Sequence, residues 1–189
     1  SLAVASAHAM EIPHDGSVWS ESKQAEFAKQ ISKDYSEYKG IKLVLLPSTV
    51  SGGRTYLSDG VVVCGVDATE GKITSRLVLH EIMHLFGAID LTIPNHIMNQ
   101  DSLHTDTRLE FDEDTITIMQ LAREDIQASG AASLTLSSAS PAIANRIIPH
   151  LHNLLPVARY PYDVHTEIAG YHEKHQRYGE ALAEYRAAL

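Results

Sequence analysis

Eleven residues in the middle of the chain, His80-Glu81-Ile82-Met83-His84-Leu85-Phe86-Gly87-Ala88-Ile89-Asp90, constrain it more than any other feature. They run H-E-x-x-H, with a glycine three residues on and an aspartate three residues after that. On an α-helix, residues four apart lie one turn above each other on the same face, so His80 and His84 present two imidazoles to a single ion. Glu81 projects about 100° round the helix from His80, beside that pair, where it can hold a water as general base. Gly87 tolerates the positive φ that stops a helix and turns the chain back. Asp90 then comes within reach as third ligand.

The surrounding pattern bears on the cost of such a site. At about 100° per residue, Val78, Leu79, Ile82, Met83, Leu85 and Phe86 fill one broad apolar arc, while His80, Glu81 and His84 share the remaining sector with Leu77. A helix so apolar is expected to be buried. Burying two histidines and a glutamate without partners is costly, and a bound cation with a water-filled opening removes most of that cost. The plainer reading is a core helix with incidental polar residues, because H-E-x-x-H alone arises by chance. Gly87 and Asp90 in register favour the zinc site.

With these residues in place the stretch resembles the metzincin clan of zinc endopeptidases, whose motif is H-E-x-x-H-x-x-G-x-x-H/D followed by a methionine turn. The aspartate version is most similar to the small bacterial snapalysin-type members. His96-Ile97-Met98-Asn99 follows the turn-forming Pro94-Asn95 and supplies Met98 as that methionine, an ordinary core methionine being the plain alternative. The resemblance implies a zinc metallopeptidase with one catalytic Zn2+ held by His80, His84 and Asp90. It implies that Glu81 takes the proton of a metal-activated water and passes it to the leaving amine, and that a peptide or protein substrate lies antiparallel to an edge strand. It also leans towards a secreted or cell-envelope location. His96 and His104 compete with Asp90 for the third ligand position. Glu110 and Glu113 are the nearby carboxylates that a zinc aminopeptidase would need as ligand.

The expected fold is α+β, a metzincin-like catalytic domain in which a small twisted mixed sheet carries a backing helix and the active-site helix, followed by an α-helical C-terminal extension. Leu2 to Ile12 reads as a first strand and Trp19 to Tyr38 as the backing helix, with Phe27, Ile31, Tyr35 and Tyr38 at helical spacing. Ile41 to Leu46 reads as a strand, and Arg54 to Leu57 with Val61 to Val66 as a hairpin through Ser58-Asp59-Gly60. Four strands emerge where the clan has five. Phe111 to Asp114 opens a helix running through Ile116, Met119 and Leu121, with acidic residues suited to its N-terminal dipole.

The peptidase-like domain is therefore expected over residues 1–129, a linker over 130–141 and a helical segment over 142–189. The linker is small-residue in character with little to bury, and Ser140-Pro141 caps the first helix after it. Helices Val164 to His175 and Tyr178 to Leu189 resemble a tetratricopeptide repeat, with Ile168, Ala169, Tyr178, Ala181, Tyr185 and Ala188 at its packing positions. A single unit cannot cover its own apolar faces, so it must dock, self-associate or continue in a longer chain, and the ending at Ala187-Ala188-Leu189 favours the last. The competing class is a helical-repeat protein-interaction module, binding a protein partner through this segment, whose zinc site is structural or vestigial. Retention of Glu81 argues against it.

Composition excludes other classes. At 189 residues with net charge −9, the chain has no basic stripe to neutralise nucleic-acid phosphates and no apolar run of the roughly 20 residues that span a bilayer. Asp101, Asp106, Glu110, Asp112, Glu113 and Asp114 read as a solvated acidic loop. Cys64 is alone, so no internal disulfide forms, and its strand context makes it a buried core residue. His150, His152, His165, His172 and His175 lack an acidic or thiol ligand in supporting register and read as surface histidines. The start at Ser1 points to processing or trimming, with any secretion signal upstream.

Overall fold

The computed structural model describes residues 19–38, 40–47, 52–66, 75–103, 109–131 and 133–189. The expected first strand, Leu2 to Ile12, lies outside them. Helix α1 (Glu21–Asp34) starts at an N-cap, Ser20, whose hydroxyl accepts from the Lys23 N–H, and has Glu21 in its first turn and Lys33 in its last, both suited to the helix dipole. It ends at Asp34, earlier than the periodicity predicts, so Tyr38 lies beyond it and is exposed.

Among the described residues the sheet has three strands in the order β1-β3-β2: β1 (Lys42–Pro47), β2 (Gly53–Tyr56) and β3 (Val61–Val66). Strand β3 is central, parallel to β1 and antiparallel to β2. The hairpin closes through a 3₁₀ turn, Leu57–Asp59, and Gly60 in the left-handed region. Side chains alternate between the two faces of a strand, and β3 uses both. Val61 and Val63 pack against α1 with Trp19, Ala28 and Ile31, whereas Val62 and Cys64 join the main core on the other face.

Helix α2 (Ser75–His84) lies on that other face, against β2 and β3. Its buried residues are Leu77, His80, Glu81 and Met83, while Leu79 is 40% exposed. The helix is buried as expected, with Met83 and Leu85 of the apolar arc in the core and Val78, Ile82 and Phe86 packed against it, and the departure is Leu79, which faces solvent. The chain then turns through Gly87 and a loop to α3 (Glu113–Ser129), whose N-cap Asp112 accepts from the Thr115 N–H at 2.7 Å. Helices α4 (Pro141–Leu154), α5 (Pro161–Lys174) and α6 (Tyr178–Ala187) complete the fold.

The segment expected to have little to bury places Leu134, Leu136 and Ala139 in the core. The Leu134 N–H donates to Leu85 O, the Ser133 hydroxyl to Leu57 O and the Leu136 N–H to Glu167 Oε1. The same core runs on through Ile147, Leu151, Val164, Ile168 and Tyr171. The C-terminal helices thus dock on the sheet-bearing part. Ile168, Ala169 and Ala181 are buried as expected, but Tyr178 and Tyr185 face solvent. Among the described residues no helix is long and apolar enough to cross a membrane.

Candidate metal centre

His80 and His84 leave α2 one turn apart, with their ring centroids 4.8 Å apart and nearly perpendicular. Each ring is held at its Nδ1. His80 Nδ1 lies 2.9 Å from Ile97 O and His84 Nδ1 lies 2.8 Å from Ala88 O. A carbonyl oxygen only accepts, so both Nδ1 atoms carry hydrogen, and in the neutral rings both Nε2 atoms are bare lone pairs. Those two lone pairs face each other at 3.2 Å.

Asp90 completes the group. Gly87, at φ +78°, allows the reversal that brings the chain back under the histidines, and Asp90 Oδ1 stands 3.2 Å from His80 Nε2 and 3.7 Å from His84 Nε2. Gln100 Nε2 donates to the other oxygen, Oδ2, at 3.2 Å, leaving Oδ1 buried with no hydrogen-bond donor assigned to it. Tetrahedral donors about 2.1 Å from a zinc ion stand about 3.4 Å apart, and the observed separations of 3.2, 3.2 and 3.7 Å bracket that value. Three electron-pair donors at this spacing repel one another unless a proton or a metal ion lies among them. Among the described residues this is the one group of histidines, cysteines and carboxylates that converges so closely, and it can hold a metal ion.

Electrostatics agree. Burial opposes charge on His80, but a proton on its Nε2 would bond to Asp90, and that bond, the one to Ile97 O and the charges of Glu81 and Asp90 outweigh burial and raise its pKa. Burial likewise disfavours the Asp90 carboxylate, yet the bond from a protonated His80 and the neighbouring histidines hold its pKa below the usual range. The pocket is therefore arranged for a positive charge facing a carboxylate.

Met98 is fully buried. Its neighbour Ile97 accepts from His80, and its own carbonyl accepts from the Leu91 N–H at 2.8 Å, so this turn positions the His80 ring and the residue just after Asp90. Glu81 is buried and turned towards β2, where Thr55 Oγ1 stands 2.8 Å from its Oε2.

Other sequence candidates fall away from the centre. His96 is buried with Nδ1 accepting from the Met98 N–H and Nε2 2.9 Å from Asp112 Oδ2. That spends both its nitrogens on tying the methionine turn to the start of α3. Glu110 and Glu113 do not join the group, and His104 lies outside the described residues. Within the acidic run, Asp101, Glu110 and Glu113 are exposed as expected, Asp101 meeting Arg159 at 3.3 Å, whereas the half-buried Asp112 caps α3 and Asp114 meets His150 at 2.6 Å. Asp106 lies outside the described residues. The C-terminal histidines also need correction. Glu184 of α6 reaches His152 at 2.8 Å and His165 at 2.7 Å, and His172 is buried. An acidic partner is thus present, supplied across helices, though each histidine takes a different carboxylate oxygen and the nitrogens do not converge.

Sequence reasoning missed four contributors: Thr55 and Gly53 on β2, Gln100 behind Asp90, and Arg159, whose N–H donates to Asp90 O at 2.8 Å. Only Gly52-Gly53 ahead of the hairpin hinted at any of them. The chain matches no protein-family model, no curated protein and no solved structure.

Proposed function

We propose that this chain is a zinc-dependent endopeptidase. The observation that carries the reading is the convergence of His80 Nε2, His84 Nε2 and Asp90 Oδ1 at the spacing of donors round one ion, with a second carboxylate, Glu81, beside them and outside the donor set. Three protein donors fit a catalytic site, whereas a closed structural site takes four. A divalent ion held there supplies Lewis-acid polarisation of a peptide carbonyl and lowers the pKa of water at the remaining position.

The other work falls to the chain. Glu81 accepts the proton of the attacking water and returns it to the leaving amine. Among the described residues strand β2 lies at one edge of the sheet, against α2, and an extended peptide pairing with its outer main-chain groups is the substrate mode we propose. His84 and Asp90 keep part of their side-chain surface exposed, which leaves the group approachable from solvent.

Two imidazoles and one carboxylate also suit ferrous iron in oxygenases. Glu81 favours the hydrolase, because a base held beside the donors serves hydrolysis. The test is metal analysis of the protein as isolated, together with casein digestion by wild type and Glu81→Ala. Zinc is expected in both proteins, with hydrolysis reduced by about 10²- to 10⁴-fold in the variant. Equal hydrolysis by the two, or iron in place of zinc, rejects the reading.

A further inference from the structure

Strand β2 turns two residues towards Glu81. Gly53 and Thr55 lie two apart, so both project to the same side of the strand. The Thr55 hydroxyl stands 2.8 Å from Glu81 Oε2 and 2.6 Å from the main-chain oxygen of Glu81. Both of those atoms accept when the carboxylate is ionised, so the hydroxyl is the donor, and its single proton is shared between the side chain of Glu81 and the main-chain oxygen of its helix turn. A Cβ added at Gly53 would come 2.5 Å from Glu81 Cγ, 2.8 Å from Oε1 and 2.9 Å from Cδ. The backbone of Gly53 is one that any residue adopts, so space alone calls for glycine there. A threonine that grips and a glycine that makes room, on the same strand face, form a seat for this one carboxylate.

We propose that Thr55 is a positioning residue for Glu81, holding Oε2 against β2 through its hydroxyl while Oε1 stays untied, with Gly53 providing the space the carboxylate occupies. This rests on the peptidase reading, in which Glu81 moves the proton. A buried carboxylate on a flexible side chain has several rotamers, and a base must meet its water at hydrogen-bond distance. Thr55 removes the rotamers that point elsewhere. The role is distinct from metal binding, since Thr55 and Gly53 meet Glu81 rather than His80, His84 or Asp90.

The experiment compares wild type, Thr55→Val and Thr55→Ser, each as the full zinc-loaded chain. It reads zinc content, kcat and KM for casein hydrolysis, and the orientation of Glu81 in a crystal structure of each. Valine keeps the shape and removes the donor. Losing a hydrogen bond to a charged group predicts a fall in kcat of about 10- to 100-fold with zinc content and KM little changed, and Thr55→Ser recovers most of it. In the Thr55→Val crystal, the Glu81 carboxylate leaves β2. The proposal is overturned if Thr55→Val keeps wild-type kcat with Glu81 in place, if it loses zinc, or if Thr55→Ser is as slow as Thr55→Val. Zinc-loaded wild type that fails to cleave casein sinks the peptidase reading, and the crystallographic arm then still decides whether Thr55 seats Glu81.

Discussion

At His80 a proton and a metal ion compete for the same lone pair. The hydrogen bond to Asp90 helps raise the pKa of His80 above the ordinary 6.5 and the pKa of Asp90 is held below its ordinary 3.8. A raised histidine contributes stability that is full below its unfolded value and lost as pH climbs through its folded value. A lowered carboxylate contributes stability that is full above its unfolded value and lost as pH falls through its folded value. The pair therefore supports chelator-treated protein best between about pH 4 and 6.5, and that support wanes towards alkaline pH. Zinc-saturated protein should do the reverse over neutral pH, because metal binding needs the deprotonated ring. Thermal melts from pH 5 to 9 with and without chelator check this. Parallel curves for the two forms would show that His80 is no ligand.

Among the elements, α2 depends most on one residue beyond its end. Gly87 sits at φ +78°, and an added Cβ would meet Ile118 Cγ2 at 3.4 Å and Leu134 Cδ2 at 3.5 Å. Those distances are close to ordinary contact, so the penalty for a side chain there is mainly the left-handed backbone, about 1–2 kcal/mol. Gly87→Ala is expected to cost that much in urea unfolding of chelator-treated protein, and to weaken zinc binding because the reversal carries Asp90 to the histidines. Unchanged stability and unchanged zinc affinity would mean that the turn does not set the ligand. Strand β3 shows a second dependence between elements, its alternate residues serving α1 on one side and the α2 core on the other, which is why a continuous Val61-Val62-Val63-Cys64 run is needed there. Cys64 in that run has its thiol pushed up to about 12 by burial, with the Glu81 charge adding to it, so it is a packing residue rather than a nucleophile.

Across the whole molecule, the C-terminal helices and the metal centre share support. The Arg159 N–H donates to Asp90 O and the Thr92 N–H to Val157 O, each at 2.8 Å, and Leu91 bridges to Ala158. The connector between α4 and α5 thus lies along the stretch that carries the third donor. Leu134 couples the same regions by packing between them in one core. Leu134→Ala is expected to destabilise the chain by about 2–5 kcal/mol, measured by denaturant unfolding. A position in a solvated linker would change stability by less than about 0.5 kcal/mol, and that result would deny the segment its place in the core. Further out, Glu184 joins α4, α5 and α6 through His152 and His165. Burial raises its pKa, but these hydrogen bonds and charges lower it overall, so the clamp weakens as pH falls into the carboxylate range.

Local chemistry is what the amino-acid order determined by itself. The imidazole pair, Glu81, the stop at Gly87 and the hairpin through Gly60 follow from spacing and backbone preference over a few residues, and α1, the three described strands and α3 were legible from the same short-range periodicity. Tertiary structure alone decided the partners. Nothing near Thr55 in the chain announces that its hydroxyl meets a residue 26 positions away. Likewise Ile97 O, Gln100 and Arg159 acquire roles only when the turn after Asp90 is folded against α2 and the helical connector. The burial of α2 was legible from its apolar arc, but not that Leu79 of that arc faces solvent or which distant groups His80 and Glu81 meet across the fold. The small residues of 130–141 hid two leucines whose burial depends on a pocket made by distant elements, which no window of neighbouring sequence contains.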